Sequence, residues 1–242
     1  MRRRSRFRAF PAPAVLAAIL LAATIPVLSA QENHHGGFDP PRLLTASDIV
    51  YPINSGAAGV VVVAVELDDA GTIKKTTVLR DVPSLTSPVL LAIPKWTFKP
   101  ATLDGRAVDS AIVVSIAFNP ADYRLGGTDT PVLGKELKVL SPDAEGFLPP
   151  KIVAGWWAVY PINNVSQGGV VLDAHVSHTG RVTRVTPIWA PFLKKTSEEA
   201  AKKWTYEPAQ YKGEPIAAST VVGYVFRPPS IAVPVAPFRP TQ

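Results

Sequence analysis

One stretch occurs twice in the 242-residue chain, and it limits what the chain can fold into. The first copy is Trp96-Thr97-Phe98-Lys99-Pro100-Ala101, followed by Gly105 and Val108. The second is Trp204-Thr205-Tyr206-Glu207-Pro208-Ala209, followed by Gly213 and Ile216. Trp supplies a large apolar anchor for a helix–sheet junction. Pro100 and Pro208 cannot continue a helix, and Gly105 and Gly213 permit the backbone angles of a turn. Each copy reads as a helix end, a tight connection and the start of a strand. The repetition predicts a tandem duplication.

The repeat extends well beyond this stretch. Gly37-Phe38-Asp39-Pro40-Pro41-Arg42 aligns with Gly146-Phe147-Leu148-Pro149-Pro150-Lys151. The alignment continues without a gap to Val50-Tyr51-Pro52-Ile53-Asn54 and Val159-Tyr160-Pro161-Ile162-Asn163. Pro-Pro before an extended apolar run suits a segment lying along the outside of a sheet. Next, Val170, Leu172, Ala174 and Val176 alternate with Val171, Asp173, His175 and Ser177. That period predicts a half-buried antiparallel strand with one polar face. The matching inward set is Val61, Val63, Val65 and Leu67, and Asp68-Asp69-Ala70-Gly71 or His178-Thr179-Gly180 closes a hairpin.

In the second strand, 73–79 or 182–188, Val182 and Val185 break strict alternation, and a β-bulge would restore both to the core. Leu193, Ala200, Ala201 and Trp204 share one face of a helix. In the first copy Ser87-Pro88 predicts an N-cap followed by proline at the first helical position, and Pro94 predicts a shorter or kinked helix. A third strand follows over 108–118 and 216–226. The expected fold class is α+β. It comprises two tandem strand-strand-helix-strand domains, 37–120 and 146–228, each a small antiparallel sheet packed by one helix. A Gly- and Pro-bearing linker (121–145) joins them and a Pro-rich tail (229–242) follows.

Charge excludes one class of partner. Residues 1–30 hold Arg2, Arg3, Arg4, Arg6 and Arg8 and no acid. Removing these five arginines from the 25 basic residues leaves 20 against 19 acidic ones, a net of +1. A nucleic-acid partner is not expected. The arginines, the apolar run 14–28 and Ser29-Ala30 have the pattern of a secretory signal peptide cut after Ala30. An uncleaved membrane anchor is the alternative, because the uncharged stretch 9–31 is long enough to span. The chain has no cysteine, which excludes disulfides, thiolate metal sites and thiol nucleophiles.

No catalytic constellation is present in the sequence, and no enzyme activity, metal or cofactor is expected. His34-His35 read as part of a polar start to the mature chain. His175 and His178 fall on opposite faces of a strand. There is no phosphate loop, nucleophile elbow or His-Glu-x-x-His. Glu198-Glu199 read as a solvated helix face. Trp156-Trp157 is either a peptide-stacking anchor or a cover for a sheet edge or for the gap between domains.

The pattern resembles the TonB C-terminal domain family. The resemblance rests on Tyr-Pro before the first strand, on Gly59 or Gly169 where that strand starts, and on the turn glycine, Gly71 or Gly180. It also rests on the Trp-x-aromatic-x-Pro-Ala-x-x-x-Gly stretch carrying Trp96, Pro100 and Gly105, or Trp204, Pro208 and Gly213. It covers about 40–120 and 149–228. It implies a periplasmic module that binds extended peptide segments of outer-membrane or envelope transport proteins by adding a strand to an exposed sheet edge. Carried over as candidate peptide-binding residues are Tyr51, Pro52, Tyr160 and Pro161. Val113, Ser115 and Ala117 on the third strand join them, as a charge-free edge that must be covered or used. In one departure from the family, only a short segment separates the N-terminal apolar run from the first domain, where the energy transducer has a long spacer. No His lies in that run either. An anchored short-spacer transducer with inner-membrane proton-driven partners and a purely structural envelope protein are the other two expectations.

Overall fold

The computed structural model describes residues 37–119, 137–161 and 164–227. The expected signal peptide, His34-His35, the first part of the expected linker, Ile162-Asn163 and the tail beyond Arg227 lie outside the described residues. The first repeat runs β1 (Phe38–Asp39), β2 (Arg42–Thr45), β3 (Gly59–Leu67), β4 (Ile73–Arg80) and α1 (Thr86–Ala92), then a 3-10 turn (Ile93–Lys95). It continues through β5 (Thr97–Lys99), β6 (Ala101–Leu103), β7 (Arg106–Val108) and β8 (Ser110–Phe118). The second half starts with β9 (Phe147–Leu148), β10 (Lys151–Ala154), β11 (Gly168–Val176), β12 (Val182–Trp189) and α2 (Lys194–Ala201). It ends with β13 (Thr205–Glu207), β14 (Ala209–Tyr211), β15 (Glu214–Ile216) and β16 (Ala218–Phe226).

The two halves share one six-stranded sheet, ordered β12-β11-β16-β8-β3-β4. Every pairing in it is antiparallel except the central one, where β16 and β8 run parallel with Val221 opposite Val114 and Val225 opposite Phe118. Val114 is equivalent to Val222 in the repeat but lies opposite Val221, one residue out of step, so equivalent faces of β8 and β16 turn to opposite sides of the sheet. The two helices consequently pack on opposite faces. Leu85, Val89, Ile93 and Trp96 cluster with Val61, Val63, Val114 and Ile116, and also with Val171, Val221 and Val225 of the second repeat. Ala200, Ala201 and Trp204 cluster with Val170, Leu172, Val222 and Tyr224, and also with Val60, Val62 and Val113 of the first. Strands covered on both faces take near-continuous apolar runs. That accounts for Val60-Val61-Val62-Val63 and for the uncharged 111–118.

Three expectations need correction. First, Val171 and Asp173 do not face solvent; both are buried, Asp173 at 3% exposure. The segment carrying Arg42, Asp48 and Ile49 of the first repeat lies over that face of β11, with Ile49 in the same cluster as Val171. Second, the third strand is split. β6 and β7, like β14 and β15, form a hairpin, and only then does the long strand begin. Asp104-Gly105 and Lys212-Gly213 take positive φ at both turn positions, as a tight two-residue hairpin requires. Third, α1 begins at Thr86, so Ser87 and Pro88 lie inside its first turn. The Thr86 hydroxyl accepts from Val82 N at 3.0 Å and donates to Asp81 Oδ1 at 2.5 Å. The expectation for Pro94 stands: it falls in the 3-10 turn after α1, and the α-helix ends at Ala92 with 7 residues against 8 in α2.

Other features match their sequence signals. Both tryptophans of the repeated stretch are buried, Trp204 at 1% exposure. Register shifts between Val176↔Val182 and His175↔Arg184 leave Thr183 as the extra residue of a bulge, and Val182 and Val185 pack on the core. The Pro-Pro preludes lie outside the main sheet. β1 pairs with β6 and β2 with β5, as β9 pairs with β14 and β10 with β13. At the end of the sheet where β8 and β16 begin, these small sheets meet, with Phe38 stacked on Tyr211 at 4.6 Å and tilted on Phe147 at 4.9 Å.

Candidate peptide-recognition site

A peptide that adds to a sheet needs a strand whose backbone is open on one side. Val113, Ser115 and Ala117 do not provide one. They lie in β8, which pairs with β3 through Ala64, Val62 and Val60 and with β16 on its other side. All three are buried, and Thr220 Oγ1 donates to Val113 O at 2.9 Å across the central pair. The uncharged run is covered, and its cover is the equivalent strand of the other repeat. Gly223 permits that fit: a Cβ there would lie 2.5 Å from Ile116 Cδ1 and 3.1 Å from Val170 O.

The Tyr-Pro stretches open loops at the end of the sheet where β8 and β16 finish. The Tyr51 hydroxyl donates to Ala57 O and the Tyr160 hydroxyl to Ser166 O at 2.9 Å, so each Tyr clamps a loop across six residues. Pro52 O and Pro161 O accept from Ser55 N at 3.1 Å and Asn164 N at 3.0 Å, closing turns. Tyr51 stands edge-on to Phe118 at 5.3 Å, and Tyr160 is tilted on Phe226 at 5.9 Å. Burial pushes the Tyr51 hydroxyl pKa up, partly offset by the Arg227 guanidinium 4.8 Å over its ring. The loops leave apolar tips in solvent: Ile53 is 92% exposed, and Val50, Val159 and Val165 are exposed too.

Several polar links between the repeats have no counterpart in the sequence expectations. Arg227 donates to Ser55 O, and the residue at its place in the first repeat, Asn119, donates through Nδ2 to Ala158 O at 2.5 Å. Asp48 Oδ1 accepts from Gly169 N at 2.6 Å, and Asp173 pairs with Arg42 at 3.7 Å and accepts from Ser219 Oγ at 3.2 Å. Burial raises the Asp173 pKa, with Arg42, Ser219 and Arg184 acting in the opposite direction. Asp173 stands where the first repeat has Ala64, and a carboxylate inside an otherwise apolar strand signals a partner from elsewhere in the chain. The Gly168-Gly169 pair marks the matching close approach, since a Cβ at Gly169 would meet Ile49 N at 3.0 Å.

Trp156 and Trp157 are half-buried against the core that holds α2. Trp204 Nε1 donates to Trp156 O at 3.0 Å, and Lys203 Nζ lies 5.4 Å over the Trp156 ring. Of the two histidines, His175 is half-buried and His178 exposed. Among the described residues no group of three or more His, Asp or Glu side chains is placed to hold a metal. Among them, too, no helix is long and apolar enough to cross a membrane.

The outermost strands of the sheet are β4 and β12. β4 carries Lys74, Lys75 and Arg80, and β12 carries Arg184 and Pro187. Both carry bulges, at Leu79 and Ile188 near one end and at Lys74 and Thr183 near the other. Charges, proline and bulges are the features by which sheets limit indiscriminate pairing at an edge. β4 is partly covered: Lys138 N donates to Leu79 O at 3.0 Å, and Leu137 joins the core. The second part of the expected linker is therefore packed structure. It roofs a cavity of about 120 Å³ lined by Val62, Leu79, Val113, Leu140 and Ile152.

Taken together, the fold and these edges define an α+β protein assembled by strand pairing. Residues 50–120 match the family of the Gram-negative bacterial TonB protein C-terminal, and this segment is a domain of that family. No curated protein and no solved structure matches the chain.

Proposed function

We propose that this chain is a TonB-like protein–protein interaction module of the Gram-negative envelope, working with outer-membrane or envelope transport proteins and taking extended peptide segments of them by strand addition. The observation that carries the proposal is the family match over 50–120. In this reading 37–120 and 146–228 are duplicated TonB C-terminal-like units, and 1–30 is a signal peptide that delivers the chain to the periplasm. No catalysis, cofactor or nucleic acid enters it. Because the third strands hold each other, the accepting edge is moved to the outside of the sheet. β12 is the better candidate, since β4 already receives Lys138. The Tyr51-Pro52 and Tyr160-Pro161 loops, with their apolar tips, are secondary contact points.

A second reading has its own support. The mutual pairing of β8 and β16 uses, inside the chain, the backbone that a recruiting edge would offer, as in a structural envelope protein whose halves bind each other. Titration of the full chain with receptor-derived extended peptides, followed by amide chemical shifts, separates the two. Shifts concentrated in β12 support recruitment at the outer edge. No binding by any extended segment supports the structural reading.

A further inference from the structure

We propose that the cavity beneath residues 137–140 is a binding site for a small hydrocarbon group, an aryl ring or a short alkyl chain. The site goes beyond the peptide-binding proposal and does not depend on it. Its volume is about 120 Å³, and Val62, Leu79, Val113, Leu140 and Ile152 line it. An apolar cavity of about 150 Å³ excludes water, which finds too few polar partners there, and takes up benzene. This one is somewhat smaller and suits one ring or a chain of a few carbons. Val62, Val113 and Ile152 are buried and offer no side-chain hydrogen-bonding group. Lys151 and Glu207 also line the cavity, paired at 2.8 Å, with 37% and 59% of their side chains exposed. The charged pair marks the mouth, and the hydrocarbon end of a ligand points inward.

The other repeat shows why the space is there. The repeat relates Val62, Leu79 and Val113 to Val171, Ile188 and Val221, which pack on the opposite face of the sheet. On that face Arg42 pairs with Asp173 at 3.7 Å, and Ser219 Oγ donates to Asp173 at 3.2 Å. The residues equivalent to Arg42, Asp173 and Ser219 are Lys151, Ala64 and Ala111. Two alanines stand where the carboxylate and the hydroxyl would be, and Lys151 pairs with Glu207 instead. A polar cluster on one face is thus matched by an apolar hollow on the other. The roof is chain without helix or strand: Leu137 is buried in the same core cluster as Val62, and Lys138 N donates to Leu79 O at 3.0 Å. A ligand beneath it adds contacts that are lost when the roof lifts, so binding stabilises the closed segment. Because that segment covers Leu79 on β4, occupancy also keeps the β4 edge covered.

The test is a titration of the full chain with benzene, read by methyl NMR and by amide hydrogen exchange. The methyl resonances of Val62, Val113 and Ile152 are expected to shift saturably, while those of Val171 and Val221 on the opposite face stay unchanged. At a free benzene concentration ten times its Kd, the Lys138 amide is expected to exchange about tenfold more slowly. Leu140→Trp puts a larger side chain into the cavity and should abolish both responses without changing the circular dichroism. Absent shifts, shifts that never saturate, or shifts spread equally over both faces would overturn the site. So would an undiminished response in a folded Leu140→Trp variant. If that variant does not fold, the titration of the native chain decides alone. An unchanged Lys138 rate at saturation would overturn the link to the β4 edge.

Discussion

The centre and the rim of the sheet are made of strands of similar length and opposite chemistry. β8 has no charged residue, is buried on both faces and is paired on both sides. β4 has three cationic residues, and β12 has one and a proline; both leave much of their surface in solvent. Water explains the contrast. A strand covered on all sides pays the full desolvation cost of any charge placed on it, and a proline there loses a ladder bond that nothing replaces. At the rim both substitutions are tolerated, and they also discourage unwanted pairing. A long strand without a charge is therefore a strand with two neighbours, even when only one of them is close in sequence.

The contrast can be broken most strongly at its centre. Ser115→Pro removes a donor and bends a strand held on both sides, so the cooperative unfolding transition followed by circular dichroism should disappear. A folded variant would mean that the β8–β16 join is dispensable. Trp204→Ala should cost about 3–5 kcal/mol in denaturant unfolding, the usual range for a buried Trp. A loss below about 1 kcal/mol would contradict its burial.

Asp173 sharpens the comparison through pH. Its folded pKa is raised above the ordinary 3.8, so the folded chain holds this proton more tightly than the unfolded chain does. Its contribution is most favourable below 3.8 and declines as pH rises through the window above that value, until the folded carboxyl has ionised. Subtracting the unfolding free energies of Asp173→Asn from those of the native sequence should leave a negative slope there, of at most about 1.4 kcal/mol per pH unit for one proton. A flat difference would indicate that Arg42 fully offsets burial. The smallest effect belongs to the rim. Lys75→Ala breaks an exposed pair with Glu66 and should shift stability by no more than about 0.5 kcal/mol. A larger loss would show that β4 is held as tightly as the centre.

Much of each repeat is legible in the sequence because local rules govern it. The Trp anchors, the bulge at Thr183, the turn glycines and the extended Pro-Pro prelude follow from residue type and spacing. What escapes is the relation between repeats. Periodicity in β11 correctly separates two faces, but it labels Asp173 as solvent-facing, because nothing nearby in sequence indicates that Arg42 and Ile49 lie over it. The absence of charge in 111–118 says that the strand is covered and is silent on the direction of the covering strand. The pairing of β8 with β16, one residue out of step with the repeat, decides both the place of the helices and the fate of Val113, Ser115 and Ala117 as candidate binders. The polar signals that could have indicated the join are the isolated Asp173 and the Gly168-Gly169 pair.

The central join also imposes an order of events while the chain is being made. The partners across it, Val114 and Val221, are separated by about a hundred residues, and loop closure over that length is slow rather than prohibitive. Until the last strand emerges, the first repeat carries an uncharged strand with one neighbour missing. During that interval a second nascent chain offers the same strand in the same direction, and domain-swapped assembly becomes a competing outcome. Synthesis rate and local chain density thus enter the yield of correctly joined molecules.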